Sequence, residues 1–411
     1  MDGKVFGILL AGLIIGGLLG YGLAPRGVSQ AEYQSMEKKV TDLQNQLSDL
    51  QGKVQGYENQ INQLQSEVSE YKAKATALED RNYTVMIAYD EKVGYYLTDG
   101  EGRTLYYFAK DIPNSGKSSC YGACAEKWPV FYTDKLILPQ GLNASDFSVI
   151  TREDGKKQLA YKGWPLYYFY KDEKPGDIYG EGIKGVWFVM KPDYTVMLAY
   201  KEGIGTYFVD SKGMALYYFA KDVNGTSVCY GACAEKWPFF SPNHVSAPST
   251  LDQKDFSYIE RGDGTYQLTY KGWPLYYFIK DEKAGDTKGE DVKHVWYVIR
   301  NYDVMIAYQE GLGTYLTDGY GRTLYYFAKD SVNQSACSGE CLQKWPPFYR
   351  EKIVAPSVIQ GYFGEIESNG VKFTTFKGYP LYYFFKDKRR GEVNGQGVKN
   401  VWFVVDPFNF R

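Results

Sequence analysis

The sequence predicts a mainly β protein of three tandem modules, each with two hairpin-like halves, preceded by one transmembrane helix and one coiled-coil helix. Three observations lead to this prediction. Tyrosine is unusually abundant, at 40 of 411 residues, and its side chain favours half-exposed strands. A short aromatic string returns six times, which indicates an internal repeat. An apolar run and a heptad pattern lie ahead of the first copy.

The first helix is predicted from an uncharged, largely apolar run at residues 5–24. Such a run is long enough to cross a hydrocarbon core of ~30 Å as a helix. A cleaved signal peptide usually ends in small residues at the cut site, and Ala24-Pro25-Arg26 is a poor site. We therefore expect residues 1–28 to form a signal anchor, while cleavage of this helix stays open.

The second helix is predicted at residues 29–81, where apolar or aromatic residues alternate in steps of three and four from Tyr33 to Leu78. This heptad pattern is typical of a coiled coil, and β-branched residues at a with leucine at d favour a parallel dimer. Tyrosines at two d positions leave a trimer open. The alternative is a single amphipathic helix that lies on a domain.

The rest of the chain divides into modules at residues 82–192, 193–300 and 301–411. They begin with the related strings YTVMIAY, YTVMLAY and YDVMIAY, and each ends in a strand that contains tryptophan. The joints between modules are nearly free of linker residues, so neighbouring modules are expected to touch.

Within module 1, alternating apolar residues and Asp-Gly turns predict strands at residues 85–89, 95–98, 105–108, 147–151 and 158–161. A short segment with a cysteine pair is the helical candidate, with Cys120 and Cys124 on one face. Six related hairpins would also suit a six-unit propeller. The cysteine pair occurs only in alternate halves, however, which favours three separate small sheets or barrels.

The aromatic string reads Y-x-F-x-x-D in all six copies. Its tyrosine, phenylalanine and aspartate are Tyr106, Phe108, Asp111; Tyr167, Phe169, Asp172; Tyr217, Phe219, Asp222; Tyr276, Phe278, Asp281; Tyr325, Phe327, Asp330; and Tyr382, Phe384, Asp387. The pattern resembles the secreted-repeat family of surface proteins and lipoproteins with a Yx(FWY)xxD motif. The resemblance implies a cell-envelope location and brings no catalytic residues. Because the chain has no cysteine near its N-terminus for a lipid, the membrane helix would serve as the anchor.

Two interpretations of this aromatic motif compete. Strand alternation places Tyr106 and Phe108 on one face and Leu105 and Tyr107 on the other, as in a core strand covered on both sides. The aspartate would then accept backbone N–H groups in the following turn. This structural interpretation is favoured, and the alternative is a stacking platform for sugar rings.

The six cysteines form three C-x3-C pairs, each with a tryptophan four residues beyond the second cysteine: Cys120/Cys124, Cys229/Cys233 and Cys337/Cys341. An even count favours structural disulfides in an oxidising compartment. The pairs could instead hold a soft metal, with copper as the one cofactor considered, or act as redox dithiols. Four glycosylation sequons also agree with an extracellular location; they are at Asn82, Asn143, Asn224 and Asn333.

No enzymatic pattern is present. The two histidines, His244 and His294, both fall in module 2, and the chain has no P-loop or nucleophile elbow. A net charge of -2 gives no reason to expect nucleic acid. We therefore expect a non-catalytic, single-pass membrane protein with extracellular modules, which self-associates through its coiled coil and has a structural or adhesive role toward envelope glycan or protein. The alternative is copper or thiol-redox handling at the cysteine pairs.

Overall fold

The computed structural model describes residues 29–76 and 83–410. The chain divides into two compact units, one up to residue 81 and one from residue 82. The predicted signal anchor at residues 1–28 lies outside the described residues. The predicted stalk is described at residues 29–76, and its last residues, 77–81, are outside. Within the described ranges, no helix is both long enough and apolar enough to cross a membrane.

The first unit contains one long helix, α1 (Gln30–Thr76). Ser29 and Glu32 begin it with a capping box: the Ser29 N–H and hydroxyl donate to the Glu32 carboxylate, and the Glu32 N–H donates to the Ser29 hydroxyl. The predicted apolar stripe is open to solvent along this helix, with Leu43 63% and Leu64 59% exposed. A partner helix would cover such a stripe, so the coiled coil stays a prediction.

Module 1 sets the pattern for the second unit. Its elements are β1 (Val85–Asp90), β2 (Gly94–Asp99), β3 (Tyr106–Phe108), α2 (Ala123–Lys127), β4 (Phe147–Thr151), β5 (Lys157–Tyr161), β6 (Trp164–Pro165) and β7 (Trp187–Val189). The first hairpin is β1–β2, β3 pairs with β7, and β4, β5 and β6 form an antiparallel meander.

Modules 2 and 3 repeat this order. Module 2 contains β8 (Met197–Lys201), β9 (Gly205–Val209), β10 (Tyr217–Phe219), α3 (Ala232–Lys236), β11 (Phe256–Glu260), β12 (Tyr266–Tyr270), β13 (Trp273–Tyr276) and β14 (Trp296–Val298). Module 3 contains β15 (Val304–Gln309), β16 (Gly313–Asp318), β17 (Tyr325–Phe327), α4 (Glu340–Lys344), β18 (Phe363–Ser368), β19 (Val371–Phe376), β20 (Tyr379–Pro380) and β21 (Trp402–Val404). Short 3-10 turns lie at Ala144–Asp146, Ile183–Gly185, Ala220–Asp222, Gln253–Asp255, Gln360–Tyr362 and Val398–Asn400. The prediction of mainly β repeats in small sheets is confirmed.

The two halves of a module meet where their aromatic motifs run antiparallel. The Tyr106 N–H donates to the Tyr167 carbonyl over 2.8 Å, and the Tyr167 N–H donates back to the Tyr106 carbonyl over 2.9 Å. Tyr325 and Tyr382 make the same pair of bonds in module 3. In module 2 the corresponding strands β10 and β13 pair within one five-stranded sheet, β11-β12-β13-β10-β14, while β8 and β9 form a separate hairpin. The motif pair therefore lies at the centre of each module.

Neighbouring modules are joined by the first hairpin of the downstream module. The Tyr107 hydroxyl in β3 accepts the N–H of Leu198 in β8 over 3.2 Å, and the Tyr200 N–H donates to the Ala109 carbonyl over 2.7 Å. At the second joint, the Tyr218 hydroxyl accepts the N–H of Ile306 over 3.2 Å. The second tyrosine of the first motif, Tyr107 in module 1 and Tyr218 in module 2, thus bonds to the backbone of the following module.

A tyrosine ring of the downstream module also packs edge-on against this joint tyrosine. The ring centroids of Tyr107 and Tyr194 are 5.9 Å apart, and those of Tyr218 and Tyr302 are 6.0 Å apart. At the end of module 3, the Phe410 ring packs edge-on against Tyr326, with centroids 4.9 Å apart. Phe410 therefore covers the strand face that a following module covers elsewhere.

Candidate functional site

The first tyrosine of each aromatic motif donates a hydrogen bond to the aspartate of the other motif in its module. In module 1, the Tyr106 hydroxyl donates to Asp172 over 2.5 Å and the Tyr167 hydroxyl donates to Asp111 over 2.6 Å. The other pairs are Tyr217–Asp281 (2.5 Å), Tyr276–Asp222 (2.5 Å), Tyr325–Asp387 (2.6 Å) and Tyr382–Asp330 (2.7 Å). Each module is therefore closed by two reciprocal tyrosine–aspartate bonds.

The second carboxylate oxygen of each aspartate accepts a backbone N–H from the loop that follows. Asp111 accepts from Ser119 over 2.6 Å, and Asp172 accepts from Tyr179 over 3.0 Å. Sequence alone predicted backbone acceptance, but in a turn next to the strand, whereas these donors lie eight and seven residues further on. Each carboxylate thus holds both a tyrosine hydroxyl and the backbone of the loop that follows the motif.

Burial raises the pKa of the motif aspartates. It brings the pKa of Asp111 and Asp222 to about 7 and that of Asp172 and Asp330 to about 6, because desolvation of the carboxylate outweighs the hydrogen bonds from tyrosine and backbone. The same burial raises the pKa of the tyrosine donor Tyr106. The tyrosine therefore keeps its proton and acts as the donor.

The second tyrosine of the downstream motif binds an aspartate at a turn. Tyr168 donates to Asp99 over 2.8 Å, and Asp99 also accepts the N–H groups of Glu101 and Arg103. The equivalent bonds in the other modules are Tyr277–Asp210 and Tyr383–Asp318, both 3.0 Å. The turn aspartates were predicted only as turn residues, without this tyrosine partner.

The motif phenylalanines lie at the two ends of a stack of four rings. In module 1, Phe108 stacks on Trp187 (centroids 4.1 Å apart), Trp187 on Trp128 (3.7 Å), and Trp128 contacts Phe169 (4.4 Å). The tryptophan pairs Trp237–Trp296 and Trp345–Trp402 are each 3.8 Å apart in the other modules. Since these rings are buried, a sugar ring cannot reach the motif from solvent.

All three cysteine pairs form disulfides, so that prediction is confirmed. The bonds are Cys120–Cys124, Cys229–Cys233 and Cys337–Cys341, with Cα atoms 5.3, 5.3 and 5.4 Å apart. In the part of the chain that the structure describes, no cysteine is free and no three metal-ligating side chains cluster. The six sulfurs are bonded to each other in pairs, and a sulfur in a disulfide is not the thiolate that binds a metal.

The expectation that the two cysteines of a pair share one helical face is wrong in every module. Only the second cysteine lies inside the short helix: Cys124 in α2, Cys233 in α3 and Cys341 in α4. The glycine before each helix is the reason. It has φ of 54° or 55° and ψ between -131° and -123°, a backbone conformation that suits glycine and places the first cysteine outside the helix.

The two cysteines of a pair also differ in burial. The first is buried in each module, with Cys120 and Cys229 fully covered and Cys337 2% exposed. The second is only half-buried at Cys124, Cys233 and Cys341, and packs against the edge of the core. Each disulfide therefore links a surface helix to the core.

Two buried arginines hold the first cysteine of modules 1 and 2. Arg152 donates to the Cys120 carbonyl over 2.6 Å, to Ser118 over 2.6 Å and to Gln158 over 2.9 Å. Arg261 makes the same three contacts in module 2. These residues were not predicted. The signal for them was an arginine six residues before a glutamine in both modules, whereas module 3 has neither residue in the corresponding hairpin.

Three of the four predicted glycosylation sequons fall on described, exposed asparagines, at Asn143, Asn224 and Asn333. The Asn143 side chain accepts the Ser145 N–H over 3.0 Å and begins a 3-10 turn. Asn82 lies outside the described residues. The structure brings none of the three into a shared site with a disulfide or with another sequon.

The fold and the internal bonds define a class of protein: tandem disulfide-bonded β repeats in which paired motifs form each module. The family described as a secreted repeat of unknown function matches the chain at residues 88–132, 148–191, 199–240, 257–300, 307–349 and 366–406. These six stretches cover more than half of the chain, and each contains one aromatic motif. The chain belongs to this secreted-repeat family. No curated protein and no solved structure matches it.

Proposed function

We propose that this chain is a membrane-anchored surface protein that displays three fused, non-catalytic modules for adhesion to an envelope glycan or protein. The observation that supports the proposal is the internal use of the repeated residues. The motif tyrosines and aspartates bond to each other, and the motif phenylalanines and neighbouring tryptophans stack on each other. Because the motif residues contact each other inside the modules, a partner would bind to the outer surfaces of the modules.

The same internal use argues against an enzyme. Asp111, the motif carboxylate with the most strongly raised pKa together with Asp222, is buried and accepts bonds from Tyr167 and Ser119. A general acid or base must reach a substrate proton, and this carboxylate is covered. The raised pKa values therefore reflect structural burial.

In this proposal residues 5–24 are the membrane anchor, and α1 is the stalk that holds the modules away from the membrane. A run of twenty largely apolar residues suits a membrane span, and a 47-residue helix extends on the order of 70 Å at about 1.5 Å per residue. The exposed stripe of α1 supports self-association into a parallel coiled coil. Copper handling is less well supported, since cysteines in disulfides offer no thiolate to a metal. Thiol-redox handling would use these same disulfides as its oxidised state.

Anchoring is tested by fractionation of cells that make the full chain and of cells that make a variant lacking residues 5–24. We expect the full chain in the membrane fraction, resistant to extraction at alkaline pH and cleaved by protease added outside intact cells. The deletion variant should leave the membrane fraction. Recovery of the full chain in the soluble fraction, or protection from external protease, would contradict the proposal.

Self-association is tested by cross-linking of the full chain with a matched pair of variants. Leu47→Asp places a charge in the exposed apolar stripe, and Asn45→Asp places the same charge on the outward face of the heptad. We expect Leu47→Asp to abolish the cross-linked oligomer and Asn45→Asp to leave it intact. An oligomer that survives Leu47→Asp would exclude a coiled coil along this stripe.

A further inference from the structure

A groove of about 700 Å³ lies beside the β11–β12 hairpin of module 2 and is open to solvent. This volume is within the ~300–1,000 Å³ typical of ligand sites. Its lining includes Phe239, Ser241, Asn243, Tyr258, Thr265 and Tyr266, none of which carries a charge at neutral pH. An uncharged groove with several aromatic walls is unusual on a chain in which 23% of residues are charged.

Two tyrosines form the sheet side of the groove. Tyr258 lies opposite Leu268 in the β11–β12 ladder, so Tyr258 and Tyr266 are diagonal neighbours on the same sheet face. They are 39% and 58% exposed. The Tyr258 hydroxyl donates to the Pro242 carbonyl over 2.6 Å, which fixes the orientation of its ring. The groove thus presents two aromatic rings, one of them held in place.

The equivalent place in module 1 is charged and filled. Lys157 stands where module 2 has Tyr266, and Tyr132 stands where it has Ser241. The Lys157 ammonium lies 5.5 Å from the centre of the Tyr132 ring, and the Tyr132 hydroxyl donates to Asp134 over 2.8 Å.

Module 3 resembles module 1 at this place. Lys372 stands at the position of Tyr266, and its ammonium lies 5.5 Å from the centre of the Tyr349 ring. The Tyr349 hydroxyl donates to Glu365, which stands at the position of Tyr258, over 3.1 Å. Module 2 alone has a small serine where the others have a tyrosine ring, and this change leaves the groove open between its two exposed tyrosines.

We propose that this groove of module 2 is a binding site for the rings of a neutral saccharide. The C–H faces of a pyranose ring are apolar and pack against aromatic rings, while its hydroxyls need hydrogen-bonding groups such as Ser241, Asn243 and Thr265. An acidic ligand would find no opposite charge in the lining. The proposal rests on the proposed surface-binding function and narrows it to one module and one ligand class.

The test uses the full chain in detergent micelles and measures the binding of two neutral probes, the hexasaccharides of β-1,4-linked glucose and of β-1,4-linked N-acetylglucosamine, by isothermal titration and saturation-transfer NMR. We expect at least one probe to bind. Tyr266→Lys and Ser241→Tyr introduce residues that modules 1 or 3 already carry at these positions, and each should lower the affinity at least tenfold. The matched control Lys157→Ala in module 1 should leave the affinity unchanged.

Three outcomes would overturn the inference: neither probe binds, binding is unchanged in both module 2 variants, or polygalacturonate binds more tightly than the neutral probes. Tryptophan fluorescence of each variant confirms that the stacked rings are intact. If the neutral probes fail while the full chain is still retained on isolated cell envelopes, the groove proposal fails and the adhesive function stands. Loss of retention on envelopes as well would reject both.

Discussion

Tyr106 and Asp172 belong to different copies of the same motif, and the tyrosine hydroxyl donates to the carboxylate over 2.5 Å. The reverse bond, from Tyr167 to Asp111, completes the exchange. A tyrosine in one half thus requires an aspartate in the other, which explains why every copy of the motif contains both residues. The role of the motif is therefore to bond the two halves of a module to each other.

The Tyr297 hydroxyl predicts a stabilising substitution. Tyr297 is buried, and its hydroxyl has no hydrogen-bond partner among the described residues. An unsatisfied buried hydroxyl costs about 1–3 kcal/mol. Modules 1 and 3 have Phe188 and Phe403 at this position. Tyr297→Phe should therefore raise the free energy of unfolding by about 1 kcal/mol, measured by urea denaturation. A loss of stability would show that the hydroxyl has a partner in solution.

Removal of one disulfide should weaken the protein without unfolding it. Loop-closure entropy assigns about 2 kcal/mol to a ring of about five residues, and the core beside Cys120 is held separately by Arg152. Cys120→Ser with Cys124→Ser should lower the free energy of unfolding by about that amount. The intact mass of the unmodified chain should be lower than that of the reduced chain by two hydrogens for each of its disulfides. Full mass with bound copper would support the metal interpretation instead.

Stability should fall as the pH rises from about 5 to about 8. Burial raises the pKa of Asp111 and Asp222 to about 7, above the unfolded value of about 3.9. Between these values the folded state binds more protons than the unfolded state, so the contribution is full at low pH and is lost through the folded pKa. We expect each carboxyl to contribute a loss of about 2–3 kcal/mol between these two pH values, measured by urea denaturation.

Asp111→Asn is the matched variant for this pH dependence. An uncharged amide has nothing to titrate, so the slope of stability against pH should shrink in the variant while the contribution of Asp222 remains. Equal slopes in the two proteins would show that Asp111 stays ionised when folded, and a rise of stability with pH would contradict the direction predicted here.

Arg390 should stabilise the second joint, between modules 2 and 3, and have no effect on the first joint, between modules 1 and 2. Its guanidinium crosses from module 3 to module 2, where it donates to the Val223 and Lys271 carbonyls over 2.5 and 3.1 Å and lies over the Trp273 ring. Bonds from a charged donor are worth about 1.5–3 kcal/mol. Arg390→Ala should speed amide exchange around Val223 and leave exchange at the first joint unchanged. Module 2 already carries an alanine, Ala284, at the equivalent position, so the variant should fold.

Local sequence patterns predicted the hairpins well. The strands expected at residues 85–89, 95–98 and 147–151 match β1, β2 and β4 within a residue or two, because period-two alternation and Asp-Gly turns act over a few neighbours. The short cysteine helix was placed correctly in the chain and its start was not. Gly122 in CYGAC was the overlooked signal, since its positive φ begins the helix after Cys120.

The long-range contacts could not be predicted in the same way. Tyr106 and Asp172 are 66 residues apart, and Tyr167 and Asp111 are 56 apart. The repeat singled out these residues, but nothing in a periodic pattern states that each tyrosine bonds to the other copy. The groove of module 2 was missed for a related reason. It depends on Ser241 in place of a tyrosine, and the sequence does not show that the tyrosine ring fills this place in modules 1 and 3.

The most direct test of this pairing is a double-mutant cycle on the free energy of unfolding. Tyr106→Phe and Asp172→Ala, made singly and together, should show a coupling energy of about 1–2 kcal/mol, since each change removes the one buried bond that the two side chains share. Tyr106→Phe with Asp111→Ala, within one motif copy, should be additive within about 0.5 kcal/mol. Strong coupling of Tyr106 to Asp111 and none to Asp172 would contradict the reciprocal pairing of the two halves.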